Sequence, residues 1–111
     1  MIHTIVTGDL SESDRNRIAI ETSRVMKERG LSKAIWDIRD AKVSYSLIGS
    51  HEVVLNLAAL GMTRSDYVAV VYFHDREQHE HAKIAAHNRG VYNIDYFLEM
   101  PAAIEWLISR G

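Results

Sequence analysis

Along this chain the spacing of apolar residues switches repeatedly between two and three-to-four, and each switch predicts a change of element. Ile2–Thr7 mixes β-branched with polar residues, as an outer strand does, and Gly8-Asp9 ends it. Ser11 with Asp14 three residues on makes a capping box. Ile18, Thr22, Val25, Met26 and Arg29 then recur at helical spacing until Gly30 stops the helix. Ala34–Ile38 is bulky and alternating enough for a second strand, with Asp37, Arg39 and Asp40 crowding charge at its exit. Ser46 or Ser50 can cap a second helix that runs to Leu60 and stops at Gly61. Tyr67–Phe73 is wholly apolar, which predicts a strand buried on both faces, and it ends in His74 and Asp75. Asp75 is placed to cap a polar helix that reaches Asn88 and closes at Gly90. Val91–Leu98 alternates as a strand with one wetter face, and Pro101 opens a last helix whose inner stripe is Ala103, Ile104, Leu107 and Ile108.

Four successive βα units predict an α/β fold: a mostly parallel four-stranded sheet with right-handed crossovers and helices packed on it. The more polar strands are the first and fourth, which places Ala34–Ile38 and Tyr67–Phe73 inside. Their polar ends then meet on one rim, where open α/β sheets bind ligands. One helix breaks the usual pattern. From Val53 to Leu60 every residue but Asn56 is apolar, so a sheet on one side cannot hide all of it. Either it is wedged deep in the fold, or Val53, Val54, Leu57 and Leu60 form the interface of a homodimer.

Length and composition narrow the classes. The 111 residues make one domain, 1–111, and a net charge of −2 offers no general attraction to nucleic acid or to an anionic membrane. No cysteine is present, which excludes thiolate chemistry and disulfides and makes the cytoplasm the expected compartment. MIHTIVTGD lacks the basic flank and apolar core of a signal peptide, and no apolar run is long enough to insert in a bilayer.

Several segments together resemble a known family: Thr7-Gly8-Asp9-Leu10-Ser11, Trp36-Asp37-Ile38-Arg39-Asp40-Ala41, Val68-Ala69-Val70-Val71, Asn88-Arg89-Gly90, Tyr96-Phe97-Leu98 and Ala103-Ile104-Glu105-Trp106-Leu107. Their order and spacing over nearly the whole chain are similar to the small bacterial SpoIIAA-like, or STAS/SEC14-like, domains. The resemblance implies a βα superhelix related to anti-sigma-factor antagonists and to lipid-carrying SEC14 domains. The regulatory antagonists carry a phosphoserine in an Asp-Ser-Ser/Thr-Gly motif. Here the matching segment reads Val43-Ser44-Tyr45-Ser46-Leu47-Ile48-Gly49-Ser50, so Ser44 and Ser46 are positional equivalents without the motif.

Candidate chemistry is sparse. Asp37, Arg39, Asp40, His74 and Asp75 are the rim set; they could act on a ligand or partner there, or simply pair with one another and cap loops. Six histidines invite a metal, yet His79 and His81 lie on opposite sides of a helix and cannot chelate one ion together. His81 beside Ala82 and Ala85 is expected to be half-buried, and His79 and His87 solvated. HExxH, GxxxxGK[ST], GxGxxG and GxSxG are all missing, and no basic stripe suits nucleic acid. No catalytic residue, metal or cofactor is therefore expected. The leading expectation is a non-enzymatic regulatory or protein-interaction module. The alternative is a carrier of a small apolar ligand or lipid, with Trp36, Tyr45, Tyr72 and Phe73 near one rim.

Overall fold

A computed structural model describes residues 1–44, 61–63, 65–88, 90 and 93–110. The elements are β1 (Ile2–Leu10), α1 (Glu12–Arg29), β2 (Lys33–Val43), β3 (Tyr67–Val71), α2 (Arg76–Asn88), β4 (Ile94–Phe97) and α3 (Met100–Ile108). The strands form one sheet in the order β1-β2-β3-β4, every pair parallel, with β2 and β3 inside as the hydrophobic pattern requires. The apolar helix expected up to Leu60, with Val53, Val54, Leu57 and Leu60, lies outside the described residues, as do Tyr45 and Ser46.

Local signals set the ends of α1. Ser11 Oγ accepts the Asp14 N–H at 3.1 Å while Asp14 Oδ2 accepts the Ser11 N–H at 3.3 Å, the reciprocal bonds of a capping box. Gly30 closes the helix at φ 66°, a left-handed turn that costs a residue without Cβ little.

The two faces of the sheet are covered differently. Ala34, Trp36, Ile38, Val68, Val70, Ile94 and Tyr96 point to the face where α1 contributes Ala19 and Met26, and α2 contributes Ala82 and Ala86. Ile35, Ala69 and Val71 point to the other face, against Ala103 and Leu107 of α3. Trp106 meets the Tyr67 ring edge-on at 6.0 Å and the Phe97 ring at 5.7 Å, which pins α3 over β3 and β4. Consequently the expected inner stripe of α3 is half right. Ala103 and Leu107 are buried, but Ile104 and Ile108, each 100° further round the helix, are exposed.

β2 is longer than its hydrophobic run suggests. Ile5 pairs with Asp37 but Thr7 pairs with Asp40, so β2 gains one residue on β1 and bulges there. Beyond the bulge Ala41 turns back into the core, and pairing continues to Leu10 and Val43. Alternation fails at Arg39-Asp40, both exposed, which is why that stretch reads as a loop in the sequence. β3 stops at Val71, level with Asp37, so β1 and β2 outrun their neighbours as a two-stranded ribbon.

Candidate functional site

The expected rim is only partly assembled. Asp37 lies at the level where β3 ends and is buried, whereas Arg39 beside it is exposed. Asp37 Oδ1 accepts Arg39 Nε at 2.9 Å and the Arg39 N–H at 3.2 Å, and Oδ2 accepts Arg39 Nη2 at 2.7 Å. The side-chain bonds from Arg39 are the main reason the Asp37 carboxyl is held below the usual carboxylate range; His3, with Nε2 at 4.0 Å, adds to it. An aspartate fixed in this way is ionised at neutral pH and cannot serve as a general acid.

The other rim residues do not join that pair. Asp40 is exposed and reaches Arg39 only through its charge. His74, also exposed, packs against the Phe73 ring with centroids 5.2 Å apart, and the Arg76 guanidinium lies 5.9 Å from the centroid of that ring. Asp75 has two tasks. Its carbonyl accepts the His79 N–H at 3.1 Å, the first bond of α2, while its carboxylate Oδ2 accepts the Val43 N–H at 3.0 Å. The cap position is therefore as expected, but the side chain ties α2 to the tip of the ribbon. Ser44, at that tip, directs both its N–H and its hydroxyl to the Leu10 carbonyl, at 2.9 and 3.2 Å.

A second cluster sits inside the molecule, between α1, α2 and the sheet. Arg15 and His79 are both buried and line a cavity of about 30 Å³ together with Trp36, Val70, Ile94 and Tyr96. That volume holds one or two waters. Arg15 Nε and Nη2 donate to Asn16 Oδ1 at 3.3 and 3.0 Å, and Nη2 lies 3.6 Å from Glu12. His79 packs against the Tyr72 and Tyr96 rings, with centroids 4.9 and 6.0 Å away. Loss of hydration lowers its pKa to about 4, the Asp75 charge opposing this weakly, so the imidazole is neutral at physiological pH. Trp36 Nε1 donates to Thr22 Oγ1 at 3.0 Å in the same layer. A fixed cation and a neutral imidazole on an apolar wall can orient water or a small polar group.

This cluster departs from the sequence expectations. His79 was expected in solvent and is only 5% exposed, while His81, expected half-buried, is exposed; His87 is half-buried, with Nε2 3.7 Å from Asp95. The inward stripe of α2 is His79, Ala82 and Ala86, spaced three and four, rather than His81 with Ala82 and Ala85. Arg15 falls on the buried stripe with Ala19, Thr22 and Met26 in the same way. Extending each small-residue stripe back by one turn finds both residues. Of the expected aromatic set, Trp36 and Tyr72 are buried within this layer and Phe73 is exposed, so these three do not line one rim.

Among the described residues no group of three or more His, Asp or Glu could hold a metal ion, and no helix is long and apolar enough to cross a membrane. Comparison with protein-family models, with curated proteins and with solved structures found no match for this chain.

Proposed function

We propose that this protein is a non-enzymatic regulatory or protein-interaction module of the cytoplasm, working as a homodimer and receiving a protein partner on the exposed side of its β1–β2 ribbon. The observation that carries the proposal is the ribbon itself. Four residue pairs, Thr7 with Asp40 through Leu10 with Val43, stand beyond the ends of β3 and β4. Leu10 and Ala41 anchor one side of it in the core, while Thr7, Asp9, Asp40 and Lys42 offer polar side chains on the other. The Asp75 bond to Val43 braces its tip and the Asp37–Arg39 fork its base. A braced polar projection suits recognition, since little conformational freedom is lost when a partner docks on it. The resemblance to SpoIIAA-like domains, whose regulatory members act through protein partners, supports the same reading.

The test is affinity capture from native lysate with the wild-type chain and an Asp40→Lys/Lys42→Glu variant, read by mass spectrometry. A protein retained by the first and lost by the second is the expected result. Equal retention by both would refute the ribbon as the contact surface.

A second reading, a carrier of a small apolar ligand, is favoured by one observation: the cavity beside Arg15 and His79 joins polar groups to apolar walls. At about 30 Å³ it would have to open to take a ligand. Native mass spectrometry of the purified chain distinguishes the readings: a stoichiometric small molecule, lost on Arg15→Met, supports the carrier.

A further inference from the structure

The cavity between α1, α2 and the sheet leaves one buried group unsatisfied. His79 is 5% exposed, and among the described residues nothing hydrogen-bonds to its ring nitrogens; its neighbours there are the Tyr72 and Tyr96 rings. An imidazole so placed has given up its bonds to water, a cost that a polar group in the cavity it lines would offset. The surroundings of that cavity are positive. Arg15, the other buried polar residue in the wall, keeps its guanidinium charge at any physiological pH, and Glu12, 3.6 Å from Nη2, stands half in solvent. The Asp75 carboxylate acts on His79 only weakly and accepts the Val43 N–H. Both wall residues also belong to the first turn of a helix: the Arg15 N–H donates to the Ser11 carbonyl at 3.0 Å, and the His79 N–H to the Asp75 carbonyl at 3.1 Å. The positive ends of the α1 and α2 dipoles therefore lie beside the same space.

We infer that this cavity binds a small carboxylate, of formate or acetate size, between Arg15 and His79. A carboxylate accepts from a guanidinium and from an imidazole N–H at once, and bonds to an ionised acceptor are stronger than those to a neutral one. Water alone would satisfy the imidazole. What selects an anion is the cationic wall, because a charge shielded from solvent gains most from a counter-charge beside it. The volume of about 30 Å³, room for one or two waters, matches a carboxylate head with at most a methyl group, which Val70 and Ile94 can cover. The site lies apart from the ribbon; it rests on the carrier reading of the same cavity and narrows the ligand from an apolar molecule to a short acid.

Titration of the isotope-labelled full chain with sodium formate and sodium acetate at constant ionic strength tests it, read by NMR on the Trp36 indole N–H in the cavity wall. A saturable shift of that resonance is expected, with a dissociation constant on the order of millimolar because so small a ligand makes few contacts. His79→Phe keeps an aromatic ring and removes both nitrogens; it is expected to retain the circular dichroism of wild type and to weaken acetate about threefold to tenfold. Arg15→Met is expected to weaken it about tenfold or more, and where that variant fails to fold, His79→Phe decides. No saturable shift with either acid, or one unchanged in His79→Phe, overturns the site. Sodium chloride as effective as acetate overturns the carboxylate assignment. Tighter binding of sodium octanoate overturns the short-acid assignment and leaves the carrier reading standing, while capture of a partner on the ribbon is decided separately.

Discussion

At one edge of the sheet β4 is four residues long, has α2 packed on one face and α3 on the other, and its Asp95 Oδ1 lies 3.4 Å from Lys83 Nζ and 3.7 Å from His87 Nε2. At the other edge β1 runs nine residues, takes its helical cover among the described residues from α1, and leaves Ile5 in solvent. The difference is one of roles. Where both faces are covered the strands can be short and apolar, because packing supplies the stability. The half with a single cover must hold its length through pairing with β2 and has surface left over for contacts with other molecules. The proposed contact, on the ribbon, belongs to this second half.

Truncation of equally apolar side chains on the two halves should give the largest contrast. Leu107→Ala, at a site with no exposure under β3, is expected to cost about 2–5 kcal/mol in urea unfolding. Ile5→Ala is expected to stay within about 0.5 kcal/mol of wild type at concentrations where the chain is monomeric. Equal losses at the two sites would abolish the distinction between the halves.

The next effect is a pH dependence seated in the doubly covered half. His79 titrates near 6.5 when unfolded and about 4 when buried, so the folded state binds fewer protons between those values. Its contribution is fully present above pH 6.5 and is lost as pH falls through that window, by about 3 kcal/mol in all. Urea midpoints measured across the window should fall for wild type and stay nearly level for His79→Gln. A wild type with no slope there would contradict a buried neutral imidazole.

At the boundary of the halves, Asp37→Asn removes the fork that Arg39 makes. A cost of about 1 kcal/mol is expected at neutral pH, since Arg39 is half open to solvent and screening limits the pair. The lowered Asp37 pKa gives the sign: the pair's contribution is present above the ordinary carboxylate pKa and disappears as pH falls below it, so wild type and variant should converge in acid. A gap that persists in acid would mean packing, rather than charge, is what Asp37 supplies.

The sequence by itself determined the order and kind of the described elements. Period two against period three-to-four, the Ser11–Asp14 box, Gly30 and Pro101 are local signals, each acting within a few residues of where it stands. The unbroken apolar run Tyr67–Phe73 even placed its strand inside the sheet. Tertiary structure decided the rest, because the deciding partners are far apart in the chain. The bulge that lengthens β2 exists through its register with β1, and Asp75 serves Val43, 32 residues away. His79 and His81 have the same chemistry and the same helix. The 100° between successive helical residues, set against the Tyr72 and Tyr96 rings, makes one a buried neutral base and leaves the other in water. Likewise Ile104 and Ile108 are as apolar as Leu107 and remain exposed, because each stands one residue, 100° of helix, beyond the buried Ala103 and Leu107.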